Sequence, residues 1–510
     1  MFGTDSIDGE TVGFIDVGTN SVHLLVVRFY EGTMGTMVFQ DKEVIRLGQN
    51  LYSSGYIDRD TIEKARLVIS DFAQVSRKMG ADRVIAMATS AARDAVNKKD
   101  LLDAIRSDGV EVSIIPGYEE ARLIRLGVFG PVAPKEKSLI IDIGGGSTEV
   151  VLCREREDIY LDSMSMGAVR FAYGSGIPND KALKFADYDH LRREVDLQSY
   201  HTCRKIRELG FSKAYGSSGT MIAMAEMCTA RRGDGDASYM MYYEVVEVMK
   251  SIYTKDLEER KTVPGMNPAR ADIIVAGGAI VEEMMYLLGI DRIDISQNGL
   301  RQGMQIDYLV RHGHSDFDVR GSSVLALAGR CQYDRDHANF IRLNSLRLFD
   351  RLKELGVHDM GPDMRELLSY ACTLHDIGEF INYPKHHLYS YLIITNSNLA
   401  GFTTEELNIM GLIARFHHKK FPSAASKIFG DMPPGLIKQV RECAMMLKIA
   451  DILDRRHCSA IKETAVDVSD DVLMLDLTSE YDISMEVWKL TTISSEIEDV
   501  FGLKLKIIRS

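Results

Sequence analysis

At 510 residues the chain is too long for one core, and domains of about 100–150 residues make it three or four domains. Hydrophobic residues at 45%, charged residues at 26% and seven cysteines without a CxxC pair describe a soluble globular protein with reduced, mostly buried thiols. A net charge of -13 without a basic stripe or tail excludes a general nucleic-acid or membrane-surface binder, so a polyanionic substrate has to be held by local cations against the overall field.

Met1 to Glu10 is polar and acidic, and no apolar run reaches the length of a membrane span, so a cytoplasmic protein is expected. TVGFIDVGTNSVHLLVVRFYEG reads as strand, glycine turn, strand. A helix follows over about Ile57 to Met79, started by Asp58 or Asp60 and ended near Gly80. RVIAMATSAARD then reads as strand into helix, and VSIIP as a strand before the helix GYEEARLIRLGVF. After Pro131 to Pro134 the pattern restarts: SLIIDIGGGSTEVVLC repeats the first hairpin, so residues 1–130 and 131–312 are expected to be two related α/β domains. Within the second lie a strand-like KAYGSSGT, ADIIVAGGAIVEEMMYLLGI read as strand, glycine turn and helix, and a closing RIDISQNGLRQGM. Residues 313–465 are read as a separate all-α domain from amphipathic stretches such as NFIRLNSLRLFDRLKELG, and residues 466–510 as a small β-α-β module.

Strand-turn-strand segments rich in Gly, Ser and Thr set backbone N–H groups around a concavity with no Cβ in the way, which suits a phosphate. Asn20, Ser21, Ser147 and Thr148 add side-chain donors. Asp16 and Asp142 each end a buried strand just before such a loop, where a carboxylate can hold a metal ion or its waters against the phosphate. One glycine loop is explained by an ordinary hairpin; two, each after an Asp-terminated strand, point to a phosphate clamp.

DVGTNS, DIGGGSTE and AGGAIV, in this order, resemble the phosphate and nucleotide-side motifs of the actin, hexokinase and chaperone ATPase superfamily. With TSAARDA and GYEEARLI between them, the stretch from about Thr11 to Arg311 resembles the exopolyphosphatase and guanosine-pentaphosphate phosphatase family. The resemblance implies tandem RNase H-like domains, a magnesium or manganese ion in the cleft, a homodimer, and inorganic polyphosphate or guanosine pentaphosphate as substrate. Carried over by position, it makes Glu120 the general base and gives Asp142 and Glu149, with Asp16, to the metal and the nucleophile. It gives Asn20, Ser21, Arg93, Gly144, Gly145, Gly146, Ser147, Thr148 and the loop Gly216, Ser217, Ser218, Gly219 and Thr220 to the phosphates. Phosphoanhydride cleavage independently needs charge neutralisation and an in-line water, roles open to metal with Arg93 and to Glu120. By itself the pair Glu119 and Glu120 reads as a solvated first helical turn complementing the dipole; Arg122 and Arg125 read as its salt-bridge partners.

In the helical segment, LHDIGEF is preceded by DHANF and followed by KHHLYSYLI, ARFHHKKF and KIADILDRR. The order resembles an HD-type metal phosphohydrolase site with ligands His337, His375, Asp376, His386 or His387, His417 or His418, and Asp451, for a divalent transition metal such as manganese, iron, nickel or zinc. Lys419, Lys420, Arg455 and Arg456 beside it are candidates to guide polyanions, or a solvated basic edge. The leading expectation is an exopolyphosphatase. The alternatives are a guanosine-pentaphosphate 5′-phosphohydrolase, an HD-type nucleotide phosphohydrolase with a sensory N-terminal half, and an actin-like ATP-binding module.

Overall fold

A computed structural model of the protein describes residues 9–30, 33–312, 318–397, 399, 401–402, 404–418, 421–430 and 432–509. Lys419 and Lys420 lie outside these residues. The chain divides into two compact units, Met1–Arg320 and Gly321–Ser510.

The first unit contains two sheets with one topology. β1 (Thr11–Val17), β2 (Ser21–Arg28), β3 (Thr36–Val44), β4 (Arg83–Ala88) and β5 (Val112–Ile114) lie in the order β3-β2-β1-β4-β5. β1 to β3 pair antiparallel, while β4 runs parallel to β1 and β5 parallel to β4. β6 (Ser138–Ile143), β7 (Thr148–Arg154), β8 (Glu157–Met164), β9 (Lys213–Ser217), β10 (Tyr239–Met241) and β11 (Arg292–Ile295) repeat it as β8-β7-β6-β9-β11, with β10 added antiparallel at the edge. The central strands are continuous apolar runs because helices cover their faces: Ile69 and Phe72 of the helix Arg59–Lys78 share a core with Ile15 and Leu24, and Met224, Ile280 and Met284 share one with Leu139, Ile141 and Val150. Asp58 caps that first helix, accepting from the Thr61 amide at 2.9 Å.

AGGAIV departs from its sequence reading. Ile274–Leu288 is one helix, with no strand before the glycines. Its residues are buried nearly all round, and such a run cannot be told from a strand by periodicity. The helix Gly117–Phe129, which carries Glu120, crosses the helix Leu300–Arg311 at backbone contact. A Cβ on Gly303 would stand 1.8 Å from the Leu123 carbonyl oxygen, so only glycine permits this approach.

The second unit is helical but carries a sheet. β12 (Ile461–Ser469), β13 (Val472–Ser479) and β14 (Lys504–Arg509) lie in that order, β12 antiparallel and β14 parallel to β13. The expected β-α-β is the β13 to β14 part, with helices Ser484–Thr492 and Ser494–Phe501 between the strands. β12 is an addition that the sequence reading left partly in the helical segment, because its side chains alternate too irregularly to stand out there. Leu473, Leu475 and Leu477 share one core with Leu447, Ile449 and Leu453 of the helix Pro434–Leu453. Among the described residues no helix is long and apolar enough to cross a membrane.

Gly303→Val is expected to cost about 2 kcal/mol or more through overpacking against the Leu123 backbone. Gly329→Ala, in a helix with no atom within 4 Å of the new Cβ, is expected to be neutral or stabilising by up to about 1 kcal/mol. Thermal melts of both variants check the contrast.

Candidate functional site: a carboxylate cleft and a histidine centre

The two glycine loops are built alike. The amide of Gly18 donates to Ser21 O at 3.0 Å, and that of Gly144 to Ser147 O at 3.0 Å. Their carbonyls are turned outward and satisfied: Thr19 O accepts from Gly48, Asn20 O from Ile45 and Arg46, Gly144 O from Ala168, and Gly145 O from Val169 and Arg170. Gly146 O accepts from Arg170 Nε at 2.7 Å. The amides of Thr19, Asn20, Gly145 and Gly146 donate to no described backbone carbonyl, which leaves them for an anion. The loops face each other at contact distance: a Cβ on Gly146 would meet Tyr52 Oη at 2.0 Å and Thr19 Oγ1 at 2.7 Å.

Behind the loops stand four carboxylates, of which Glu120, Asp142 and Glu149 are buried and Asp16 is half-buried. Asp16 lies near the end of β1, and Asp142 and Glu149 are register partners in β6 and β7. Glu120 comes from the first turn of its helix and is 7% exposed. Burial pushes Asp16 up to about 6, with Asp142 adding to the rise and Arg301 opposing it. Burial likewise pushes Asp142 up to about 6, against hydrogen bonds from Ser217 and Ser218. Glu149 is pushed up to about 7 by burial and then by Asp142. Glu120 is raised well above the carboxylate range by burial and then by Glu149, with Arg93 opposing. Ser217 Oγ donates to Asp142 Oδ2 at 2.5 Å and Ser163 Oγ to Glu149 Oε1 at 2.7 Å, while Asp16 Oδ1 is buried with no hydrogen-bond partner among the described residues.

Arg93 Nη1 reaches Glu120 Oε2 at 3.1 Å and the Ile115 carbonyl at 2.8 Å. It lines a cavity of about 250 Å³ with Ser147, Ser163 and Arg170, and Arg170 is itself held by Asp94. The donor set fits a divalent cation, because hard carboxylate oxygens, one of them orphaned, act on one another with too little positive charge beside them. No three of these carboxylates bring ligand atoms within 4.8 Å of one another among the described residues, so a cation here would keep waters or substrate oxygens in its shell.

Not every expected residue offers its side chain to the cleft. Thr148 Oγ1 donates to the Met166 carbonyl at 2.7 Å, and Ser21 Oγ pairs with His23 Nε2 at 2.8 Å. The Thr220 methyl faces Gly277, and Gly219 lies under the Arg270 guanidinium. Gly216 lies in β9 inside the sheet, and Ser218 opens the helix Ser218–Arg232 with φ of 76°. Glu119 pairs with Arg122 at 2.8 Å and with Arg311, and Arg125 binds the Gly130 and Glu155 carbonyls and Asp158. The sequence reading missed Arg301, whose charge acts on Asp16, and Ser163, which holds Glu149. Arg301 lies in the first turn of a helix after β11, a position like that of Ser218 after β9, and that parallel was its one sequence signal.

In the second unit the expected histidines converge. The ligand atoms of His337, His375, Asp376 and Asp451 lie within 4.8 Å of one another, as do those of His386, His417 and His418. His386 Nε2 and His417 Nε2 lie 3.4 and 3.3 Å from Asp376 Oδ1, which decides for His386 and His417 over their neighbours His387 and His418 as partners of the aspartate. Burial disfavours charge on His337, yet Asp451, Asp454 and Asp376 outweigh burial and push it up to about 10. The centre therefore demands positive charge, as protons or as a cation. A cavity of about 240 Å³ opens on it beside His337, His375, Asp376 and Glu379. Arg456 is held at 2.7 Å by Glu486, a buried carboxylate.

Residues 25–312 match the Ppx/GppA phosphatase family, and residues 319–496 match Ppx/GppA phosphatase, domain III. Over 477 residues the chain is 28% identical to a guanosine-5'-triphosphate,3'-diphosphate pyrophosphatase of Aeromonas hydrophila, covering 91% of this chain and 92% of that protein. A protein of the same name from Photobacterium profundum is 26% identical over 407 residues, covering 79% and 80%. The crystal structure of an exopolyphosphatase from Cytophaga hutchinsonii superposes with a TM-score of 0.54 at 25% identity, covering 59% of this chain and 98% of that one.

Carboxyl groups raised on folding stabilise the fold at low pH, below their unfolded values, and that contribution is lost as pH rises through the folded values of about 6 to 7. Each tenfold gain in proton affinity on folding is worth about 1.4 kcal/mol. Without divalent cations the first unit is therefore expected to melt at progressively lower temperature between about pH 4 and pH 7. Magnesium should restore it at the upper end, and Asp142→Asn should flatten the slope. A cation-free melt independent of pH would sink the electrostatic picture.

Proposed function

The chain belongs to the Ppx/GppA phosphatase family, hydrolases of phosphoanhydride bonds, and from that premise we propose that the cleft around Glu120 releases terminal orthophosphate from inorganic polyphosphate. The observation that carries this reading is Glu120 itself: a buried carboxylate with raised basicity, fixed by Arg93 at 3.1 Å and set beside two opposed loops in which the Thr19, Asn20, Gly145 and Gly146 amides donate to no described backbone carbonyl. A base with its pKa brought toward the working pH is suited to take a proton from an attacking water. The amides of Thr19, Asn20, Gly145 and Gly146 would hold the terminal phosphoryl oxygens in line with that water. Arg93 would neutralise charge developing on the phosphoryl group while orienting the base.

Asp16, Asp142 and Glu149 would hold magnesium, or manganese, together with waters and substrate oxygens; when bound, the cation neutralises phosphate charge and orients the chain end. Ser217 and Ser163, each donating to one of these carboxylates, fix the ligand oxygens. A net charge of -13 supports neither nucleic acid nor an anionic membrane as partner, and family resemblance supports a cytoplasmic homodimer.

Hydrolysis of the 5′ γ-phosphate of guanosine pentaphosphate is the second reading for this cleft, favoured by relatives that align over most of the chain and carry that name. In the second unit we read His337, His375, Asp376, His386, His417 and Asp451 as an HD-type centre for a divalent transition metal, on the support of their convergence and burial.

Glu120→Gln is expected to lower orthophosphate release by about 10²- to 10⁴-fold with little change in KM, as for loss of a general base. Asp376→Ala is expected to leave polyphosphate hydrolysis intact. Loss in Asp376→Ala alone would move the activity to the second unit and leave a sensory role to the first. Relative rates on polyphosphate and guanosine pentaphosphate decide between the two substrates.

A further inference from the structure

The two sheets of the first unit are joined across the cleft by a reciprocal pair of arginines. Arg46 follows β3 of the first sheet, and Arg170 lies in the helix Ala168–Gly174 that follows β8 of the second. Arg46 Nη1 donates to Asp272 Oδ2 at 2.7 Å and Nη2 to Oδ1 at 3.4 Å. Asp272 stands just before the helix Ile274–Leu288, which packs into the core of the second sheet. In the opposite direction Arg170 Nη2 donates to Asp94, which ends the helix Ser90–Asp94 after β4 of the first sheet. Each arginine starts beside one sheet and ends on an aspartate that belongs to the other.

Each is also tied to the phosphate loop on its own side. The Arg46 amide donates to the Asn20 carbonyl at 2.9 Å, and Gly48, two residues on, donates to the Thr19 carbonyl at 3.0 Å. Arg170 holds the second loop twice, from its amide to the Gly145 carbonyl at 3.0 Å and from Nε to the Gly146 carbonyl at 2.7 Å. A carbonyl and the N–H that follows it share one peptide plane. Holding Thr19 O therefore orients the Asn20 amide, and holding Gly145 O orients the Gly146 amide, both of which face the anion site.

Further contacts keep the arginines in place. Tyr173 Oη donates to Asp272 Oδ2 at 2.7 Å. The Arg170 guanidinium lies over the Tyr52 ring, 4.2 Å from its centroid, and donates to Ser90 Oγ at 3.3 Å. Arg46 has φ of 55°, a left-handed conformation that is costly for a residue with a side chain and persists where the surroundings over-determine it. The segment that carries Asp272 also carries Arg270, whose guanidinium covers Gly219, so the Arg46 contact reaches a second glycine loop beyond the cleft.

Resting on the reading of this cleft as a phosphoanhydride hydrolase site, we propose that Arg46 and Arg170 are positioning residues that bind the two phosphate loops into one clamp. Each fixes its own loop and locks that loop to the opposite sheet, Arg46 through Asp272 and Arg170 through Asp94. In-line attack requires amides from both loops on one phosphoryl group while Glu120 holds the water, and a displacement of about 1 Å costs up to about 10²-fold in rate. The crossed ion pairs keep loops from separate sheets aligned to that tolerance.

The test compares the full-length chain with Arg46→Gln, Asp272→Asn, their double variant and Asp94→Asn. It measures orthophosphate release, melting, and hydrogen exchange of the peptides carrying DVGTNS and DIGGGSTE. Each single variant is expected to lower kcat by about 10- to 100-fold with KM changed by less than about threefold. The Arg46→Gln/Asp272→Asn double variant should be no worse than either single one, because the pair acts as a unit, and Arg46→Lys should recover part of the loss. Arg46→Gln should also speed exchange by about tenfold in DIGGGSTE, to which Arg46 donates no hydrogen bond, as well as in DVGTNS. Additive losses, a raised KM with kcat unchanged, or faster exchange confined to DVGTNS would overturn the clamp. So would a lower melting temperature with kcat and DIGGGSTE exchange unchanged, which would leave the ion pairs a stabilising role only. Exchange needs no turnover: a chain that hydrolyses neither polyphosphate nor guanosine pentaphosphate would overturn the functional reading, and the exchange of DIGGGSTE would still decide the clamp.

Discussion

Uncompensated negative charge buried between two repeated sheets is the constraint on which the first unit depends. Asp16, Asp142, Glu149 and Glu120 are each held where desolvation disfavours their ionised forms, and a neighbouring carboxylate adds to the effect on Asp16, Glu149 and Glu120. Such an arrangement is costly for a fold that merely has to be stable. The surroundings relieve it only in part: Arg93 pairs with Glu120, Arg301 acts on Asp16, and Ser217 and Ser163 supply neutral donors. The amide-lined loops instead prepare the same cleft for an anion. A fold that gathers carboxylates and anion sites side by side is prepared for a cation and a phosphate together, each making the other's binding favourable.

The repeated topology is what brings these groups to one place. In both sheets the central strand ends in an aspartate and one apolar residue, then turns through glycine into an antiparallel neighbour, so facing the two sheets apposes the two loops. Gly146 against Thr19 and Tyr52 fixes their separation, and Gly303 against the Leu123 carbonyl fixes the helix that delivers Glu120. These glycines are therefore required by close packing, of loop against loop and of backbone against backbone. The second unit follows a different logic, with helices converging imidazoles whose outer nitrogens are already engaged.

Much of this was legible in the chain because it is local. DVGTNS and DIGGGSTE carry their own strand, turn and carboxylate, and GYEEARLI places Glu120 in a first helical turn. The order of histidines and aspartates identified their convergence without fixing which of His386 and His387 would face Asp376. What stayed hidden depends on contacts between distant segments. Arg301 stands near Asp16, Ser163 near Glu149, and Thr148 turns its hydroxyl to the Met166 carbonyl; none of these follows from spacing. AGGAIV was misread because a helix buried on all sides loses its periodicity, and β12 because its alternation is broken by a register shift near Ile461.

On the reading proposed above, the cleft carboxylates exchange protons for a divalent cation. Calorimetric titration of magnesium into the intact chain, repeated at about pH 6.5 in buffers of different ionisation enthalpy, counts the protons released per cation bound. Net proton release is expected, because carboxyls held up to about 6 or 7 are partly protonated before the cation arrives. It also predicts a smaller release in Asp142→Asn. Binding with the same heat in every buffer, or no magnesium binding that Asp142→Asn changes, would contradict it.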